Sequence, residues 1–445
     1  MVSNLVFQNS IVSNGTSFSA GDATFNTNTQ TLTGGTAVSF ADIVSISGAI
    51  TVTNQITTFV NIDGDLIGTV AGSIWKNDPS TRLNYAGVAQ PMATGVFDVA
   101  AVGNVVNYDR AGAQSIRVPL STDYYHLEIT VSGTKDFMGS TDVLGTLTVS
   151  GSVRADAQAF THNVTGNTYV LNTANLNHDN AAGIYNLTNL EFTNTGGTNA
   201  GNSAGASGTT NVSGTLLVNA GTSIIDRCNF NVTGISTING TLNLNSNITN
   251  AVVFIGNFVV NGTFIMTGYT SGTGNGTCTW RGGIDQNGTF TGTRGFFNTN
   301  PQDLFGPGSI NFSDFVTVTG VVVTNNTTCN LTAVAAGTLT GTGTWIQAAV
   351  STLNYAGQTV TISAMNAFAS GNTVNYNRSD AGVQTIFNPS ASQYYHLTSS
   401  NTGTKTLSSL TDVDGNLSIQ GTAVFDVGAN DILLAGNWNN TSTNA

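Results

Sequence analysis

Short runs in which apolar and hydroxyl side chains alternate, such as Thr51-Val52-Thr53 and Thr317-Val318-Thr319, predict β-strands with one face turned inward. A second pattern punctuates them: glycine, then Thr or Asn, an aliphatic or aromatic residue, any residue, and an apolar one. It occurs at Gly145-Thr146-Leu147-Thr148-Val149, Gly214-Thr215-Leu216-Leu217-Val218, Gly240-Thr241-Leu242-Asn243-Leu244, Gly262-Thr263-Phe264-Ile265-Met266 and Gly415-Asn416-Leu417-Ser418-Ile419. From Gly214 these glycines follow at 26, 22 and 26 residues, the last being Gly288; the Asn-Tyr pairs are 23 residues apart at Tyr85 and Tyr108, and 21 apart at Tyr355 and Tyr376. Such a step fits one turn of a solenoid. The expected fold is all-β, a β-solenoid (β-helix) with coils of about 22–26 residues. Gly145, Gly214, Gly240, Gly262, Gly288 and Gly415 sit at its structural corners, where Gly and Asn supply left-handed backbone. Tandem β-sandwich domains are the alternative, but sandwich strands vary in pairing distance and give no reason for a recurrent step.

A longer period lies over the short one. At an offset near 270 residues, Leu83-Asn84-Tyr85-Ala86-Gly87 returns as Leu353-Asn354-Tyr355-Ala356-Gly357, each preceded by a tryptophan ten residues before the tyrosine, Trp75 and Trp345. Tyr124-Tyr125-His126-Leu127 matches Tyr394-Tyr395-His396-Leu397, and Gly133-Thr134-Lys135 matches Gly403-Thr404-Lys405. The chain divides into one copy over 24–160, intervening coils over 161–295 and a second copy over 296–445. It reads as one continuous solenoid segment, 1–445, of a longer array, with around 18 coils.

Composition agrees with stacking. Only 8% of residues are charged, against roughly 25% in ordinary soluble domains. In-register stacking would pile like charges on one another, whereas Asn and Thr can form hydrogen-bonded ladders. Proline, which cannot donate to a ladder, occurs only 6 times. The net charge of −12 is spread thinly and the 11 basic residues are scattered, which argues against a nucleic-acid partner. The most apolar stretch, 251–266, is broken by Gly256, Asn257, Asn261 and Gly262, so no membrane insertion is expected.

Candidate chemistry is sparse. Cys228, Cys278 and Cys329 are 50 and 51 residues apart. Coils of about 25 residues would stack them two coils apart on one side, about 9.6 Å from each other, beyond the ~7 Å reach of a disulfide. They are expected to be reduced, and no metal ligand lies at short spacing. Tyr124, Tyr125 and His126, with Tyr394, Tyr395 and His396, are the candidate glycan contacts, because exposed aromatics can stack on sugar rings. Strand alternation would put Tyr124 and His126 on one face and Tyr125 and Leu127 on the other. The competing assignment has one tyrosine plugging the core and the other covering a coil edge. The close acidic pairs Asp63/Asp65 and Asp412/Asp414 could bind calcium or act as acid and base, yet their neighbours are Ile, Leu, Gly and Thr, which suits a solvated corner better. No catalytic residue, metal or cofactor is assigned.

These motifs resemble the β-strand-repeat surface proteins of Bacteroidota, large secreted adhesin-like chains. The likeness is carried by residues 353–357, 374–386, 394–397, 403–407, 415–419, 424–430 and 435–438, and covers about half the chain. It implies an extracellular or cell-surface location, reached through targeting segments elsewhere in a longer protein, since Met1 to Phe7 shows no export signal. The expected function is a non-enzymatic structural stalk or fibre segment of a surface adhesin or filament. Its partners would be further repeats of the same chain or identical subunits end to end, with surface glycans as further candidates. The alternative is a polysaccharide-binding or polysaccharide-cleaving β-helix, which a groove lined by several of Asp63, Asp65, Arg82, Asp109 and Arg110 would favour.

Overall fold

The structure, a computed structural model, describes residues 5–193, 196–201, 208–245, 251–266 and 277–444. Two compact units, Met1–Phe230 and Asn231–Ala445, each carry a run of stacked coils. The fold is a β-solenoid of about 20 turns. Among the described residues helix is confined to two single turns, Leu120–Thr122 and Ser390–Ser392.

One coil shows the construction. Strands Val44–Ile46, Thr51–Ile56 and Val60–Ile62 form three sides, and the next coil lays Leu66–Gly68, Ile74–Asn77 and Arg82–Tyr85 on them in parallel. The register pairs Val44 with Leu66, Val52 with Trp75 and Val60 with Leu83. All six of these side chains are buried, because alternate residues of each strand point into the coil stack. Parallel pairing along each side excludes the antiparallel β-sandwich. Between paired residues the described steps run from 17, Thr279 to Phe296, up to 27, Thr193 to Ala220 beside a register shift, so the coils spread beyond the expected 22–26, mostly on the short side.

The cores of the two copies match in detail. Trp75 Nε1 donates to Asn77 Oδ1 at 3.0 Å, and Trp345 Nε1 to Gln347 Oε1 at 2.7 Å, each giving a buried indole an acceptor two residues along its own strand. Asn54 and Asn325 cap those same acceptors from the preceding coil, at 3.2 and 2.9 Å.

Corners are built differently from expectation. Gly145, Gly214, Gly240, Gly262, Gly288 and Gly415 all lie at bends, but none has a left-handed φ. What requires glycine is contact with the coil before: a Cβ at Gly288 would lie 2.0 Å from the carbonyl oxygen of Gly262, and one at Gly262 would lie 2.1 Å from that of Gly240. Left-handed backbone occurs elsewhere and recurs with the long repeat, at Ser80 and Val350, Ser121 and Ala391, Thr122 and Ser392, and Val131 and Asn401.

The cysteines also correct the coil count. All three are buried free thiols. Cys278 pairs with Val252 in the ladder that continues through Gly295 and Val316, whereas Cys329 pairs with Ile310 and Leu353 in a different ladder. Coils of 17 to 21 residues between them shift the register, so Cys278 and Cys329 occupy different sides of the coil.

Candidate functional site

The Tyr-Tyr-His-Leu motif folds as a corner. Strand Asp123–Tyr124 ends, the chain bends at Tyr125, and strand His126–Ile129 begins; Gln393–Tyr394 and His396–Ser399 repeat this. The bend resets the alternation, so Tyr124 and Leu127 both point inward while Tyr125 and His126 both remain half-exposed. This overturns the expected sharing of faces, and it removes Tyr124 and Tyr394 from the glycan candidates, since both are 0% exposed. Their hydroxyls are already used. Tyr124 and Tyr108 are linked Oη to Oη at 2.8 Å, Tyr124 Oη donates to the Arg117 carbonyl, and the Arg117 amide donates to Tyr108 Oη. Tyr394, Tyr376 and Phe387 form the same circuit. Burial pushes the Tyr376 hydroxyl up to about 12 and the Tyr124 and Tyr394 hydroxyls well above their ordinary range.

Outside, Tyr125 meets the His126 ring edge-on at 4.7 Å, and Tyr395 meets His396 at 4.6 Å. Each imidazole Nδ1 accepts from a backbone amide one coil later, that of Thr146 at 2.9 Å and that of Asn416 at 2.8 Å. The rings lie against Gly145 and Gly415. The motif is thus a joint between coils.

Two repeated polar motifs have the same kind of task. Gln114 Nε2 donates to the carbonyls of Tyr85 and Gly87 at 2.7 and 2.9 Å, and Gln384 Nε2 to those of Tyr355 and Gly357, both at 2.8 Å. One coil on, in register with Gln114, Lys135 Nζ donates to the carbonyls of Arg110 and Gly112. Burial, then the neighbouring Arg110 charge, lowers the Lys135 ammonium to about 8, and burial with Arg378 does the same to Lys405. Sequence reasoning gave these lysines no role, although the recurrence of Gly133-Thr134-Lys135 as Gly403-Thr404-Lys405, in a chain nearly devoid of lysine, was a signal.

The acidic residues divide. One groove of 460 Å³ is lined by Asp22, Asp42, Asp63, Asp65 and Arg110 together with Gly64 and Val88. It brings together three of the five residues named for the polysaccharide reading. Of the other two, Arg82 makes a bidentate pair with Glu128, and Asp109 lies outside the lining, where partial burial and the neighbouring Asp63 charge raise its carboxyl pKa. Asp22 and Asp42 were missed, although Asp22, Asp42 and Asp63 follow one another at one-coil steps. Two of the groove carboxylates bind backbone: Asp22 Oδ1 accepts from the Ile43 amide at 3.0 Å, and Asp65 Oδ1 from the Ala89 amide at 3.2 Å. Asp414 accepts from Gln393 across one coil. Among the described residues no three His, Cys, Asp or Glu side chains are grouped to hold a metal ion. No helix there is long and apolar enough to cross a membrane. No protein-family model, curated protein or solved structure matches the chain.

Proposed function

We propose that the protein is a non-enzymatic structural segment, a stalk or fibre portion of an extracellular surface adhesin or filament. The observation that carries this reading is where the repeated side chains go. Trp75 and Trp345, Tyr124 and Tyr394, His126 and His396, Gln114 and Gln384 all spend their polar atoms on contacts within or between coils. A repeat under selection for chemistry would hold polar groups convergent on a substrate; this one holds them on its own coils. Because each coil is supported by its neighbours, such a structure lengthens by adding coils. The test is protease shaving of intact source cells followed by mass spectrometry. Peptides of this chain released without lysis support the reading, and their recovery only from the cytosol overturns it.

The second reading is a polysaccharide-binding or polysaccharide-cleaving β-helix, favoured by the groove that gathers Asp63, Asp65 and Arg110. A glycan array with the wild-type chain and Arg110→Ala tests it. Binding lost in the variant supports it, and an empty array removes it.

A further inference from the structure

We infer that one side of the second unit is an ice-binding face, made by a row of hydroxyl side chains. The row lies on the ladder that runs from strand Thr241–Leu244 to strand Thr373–Tyr376. Along it Thr241 is in register with Thr263, Thr263 with Thr289, Ser309 with Thr328, Thr328 with Thr352 and Thr352 with Thr373. Thr289 and Ser309 are joined because the residues that follow them, Phe290 and Ile310, pair. Seven consecutive coils, with no register shift between them, therefore place a hydroxyl at one position. The next residue on each strand, from Leu242 to Val374, is fully buried, so strand alternation turns the hydroxyl row outward.

The protein makes no use of this row itself. Among the described residues none of the seven hydroxyls bonds to another protein group. Other hydroxyls of the same unit are engaged: Thr327 Oγ1 donates to the carbonyls of Gly306 and Gly308, and Thr338 Oγ1 to those of Ala333 and Ala335. A second column, two residues along the same strands from Asn243 to Asn375, is engaged as well, since Asn311, Asn330, Asn354 and Asn375 bond amide to amide from coil to coil. The asparagines hold the coils together, and the hydroxyl row beside them faces outward with its bonding capacity intact.

Ice is the occupant that the chemistry of this face fits. Neighbouring strands lie about 4.8 Å apart and alternate residues of one strand about 6.7 Å apart, so the two columns form a net of polar groups about 29 Å long. Water oxygens on the prism faces of hexagonal ice repeat on the same scale. Six of the seven residues are Thr, whose β-branch restricts χ1 and fixes hydroxyl and methyl before water arrives, which keeps the entropy cost of binding low. Neither column holds a charged side chain, which would keep its own hydration shell and break the match to an uncharged lattice. Sugars stack on aromatic rings, and neither column has one. A second copy would need apolar area, and Ile265 is the only large apolar side chain in the two columns.

Ice recrystallisation inhibition, together with binding of the fluorescently labelled full chain to growing ice, tests this. Thr263→Lys and Thr352→Lys interrupt the row at two rungs, and Thr324→Lys is the control, an outward position between buried Val323 and Asn325 on another side of the coil. Circular dichroism and urea midpoints establish which variants fold. The wild type is expected to coat the ice and arrest recrystallisation, a folded row variant to lose both effects, and Thr324→Lys to keep both. A wild type that growing ice excludes overturns the inference, as does a row variant that binds ice as the wild type does. A wild type that ignores ice and forms a dimer, lost in Thr352→Lys on sedimentation, overturns it in favour of a second copy. The face does not depend on the structural reading: these assays set the purified chain against ice, whereas shaving reads the cell surface, so either can fail alone.

Discussion

The backbone amide of Thr146 donates a 2.9 Å hydrogen bond to Nδ1 of His126, one coil earlier, and the intervening Gly145 lies under the ring so closely that a Cβ there would be 2.7 Å from it. Histidine and glycine therefore work as a pair. Gly145→Ala should destabilise the fold by about 1–3 kcal/mol, the usual cost of overpacking. His126→Ala removes the ring that the new methyl would strike, so the double variant should lose less than the two single losses combined. Urea unfolding of the four proteins measures that coupling. Additive losses would assign the corner's limit to the Tyr125 carbonyl oxygen, 2.9 Å from the same Cβ, and not to the ring.

Two other histidines make the protein acid-sensitive. His162 is buried between Thr141 Oγ1, 2.8 Å from Nδ1, and the Ala157 carbonyl, 3.2 Å from Nε2; His178 is buried with Thr210 Oγ1 2.9 Å from Nε2. Burial lowers both to about 4 from an ordinary 6.5. The unfolded chain then binds more protons between those values, so stability is full above pH 6.5 and falls as the pH drops toward 4, by up to about 3 kcal/mol for each histidine. Replacing both with Gln should flatten that part of the stability profile. A profile equally steep in the double variant would assign the acid sensitivity to the carboxylates.

What could be read beforehand follows from the physics of the repeat. Alternating apolar positions and a recurrent step specify parallel coils, because a one-residue slip would turn Val52 and Trp75 outward. The glycine corners were legible as positions, since Gly262 and Gly288 recur at one-coil spacing, but their cause was not, because contact with the preceding coil is absent from local sequence. Tyr125 defeated strand alternation for the same reason: a single corner residue inverts the parity, and nothing in Tyr-Tyr-His-Leu marks which residue turns. The groove was half legible. Asp63 and Asp65 stand two residues apart and were named together with Arg110, whereas Asp22 and Asp42 join them only through coil stacking.

The thiols give a direct check on the interior. Cys228, Cys278 and Cys329 are fully buried, and burial pushes all three thiols far above their ordinary range. Thiolate, the reactive form, is then scarce at neutral pH and shielded as well. Titration of the native protein with a thiol-reactive chromophore should give no fast reaction, and denaturant should release three equivalents. Rapid labelling of one thiol in the native state would show that its coil opens locally.

The outer face of the second unit carries a ladder that explains the scarcity of charge. Asn330 Nδ2 donates to Asn311 Oδ1, Asn354 Nδ2 to Asn330 Oδ1 at 2.7 Å, and Asn375 Nδ2 to Asn354 Oδ1 at 2.9 Å, with Ser400 Oγ ending the run on Asn375 Oδ1 at 2.8 Å. Each amide is donor to one coil and acceptor from the next. Asn354→Asp preserves the shape but replaces the donor facing Asn330 with an anionic oxygen, which turns an attraction into a repulsion at one rung while the other survives. The expected loss is about 1–3 kcal/mol at neutral pH. It should shrink as the pH falls through an ordinary aspartate value near 3.9, because the protonated acid regains a donor. The difference in urea midpoint between variant and wild type, followed from pH 7 downward, isolates this effect from the histidine titration that both proteins share. A pH-independent difference would mean that the ladder contributes packing and no directed hydrogen bonding.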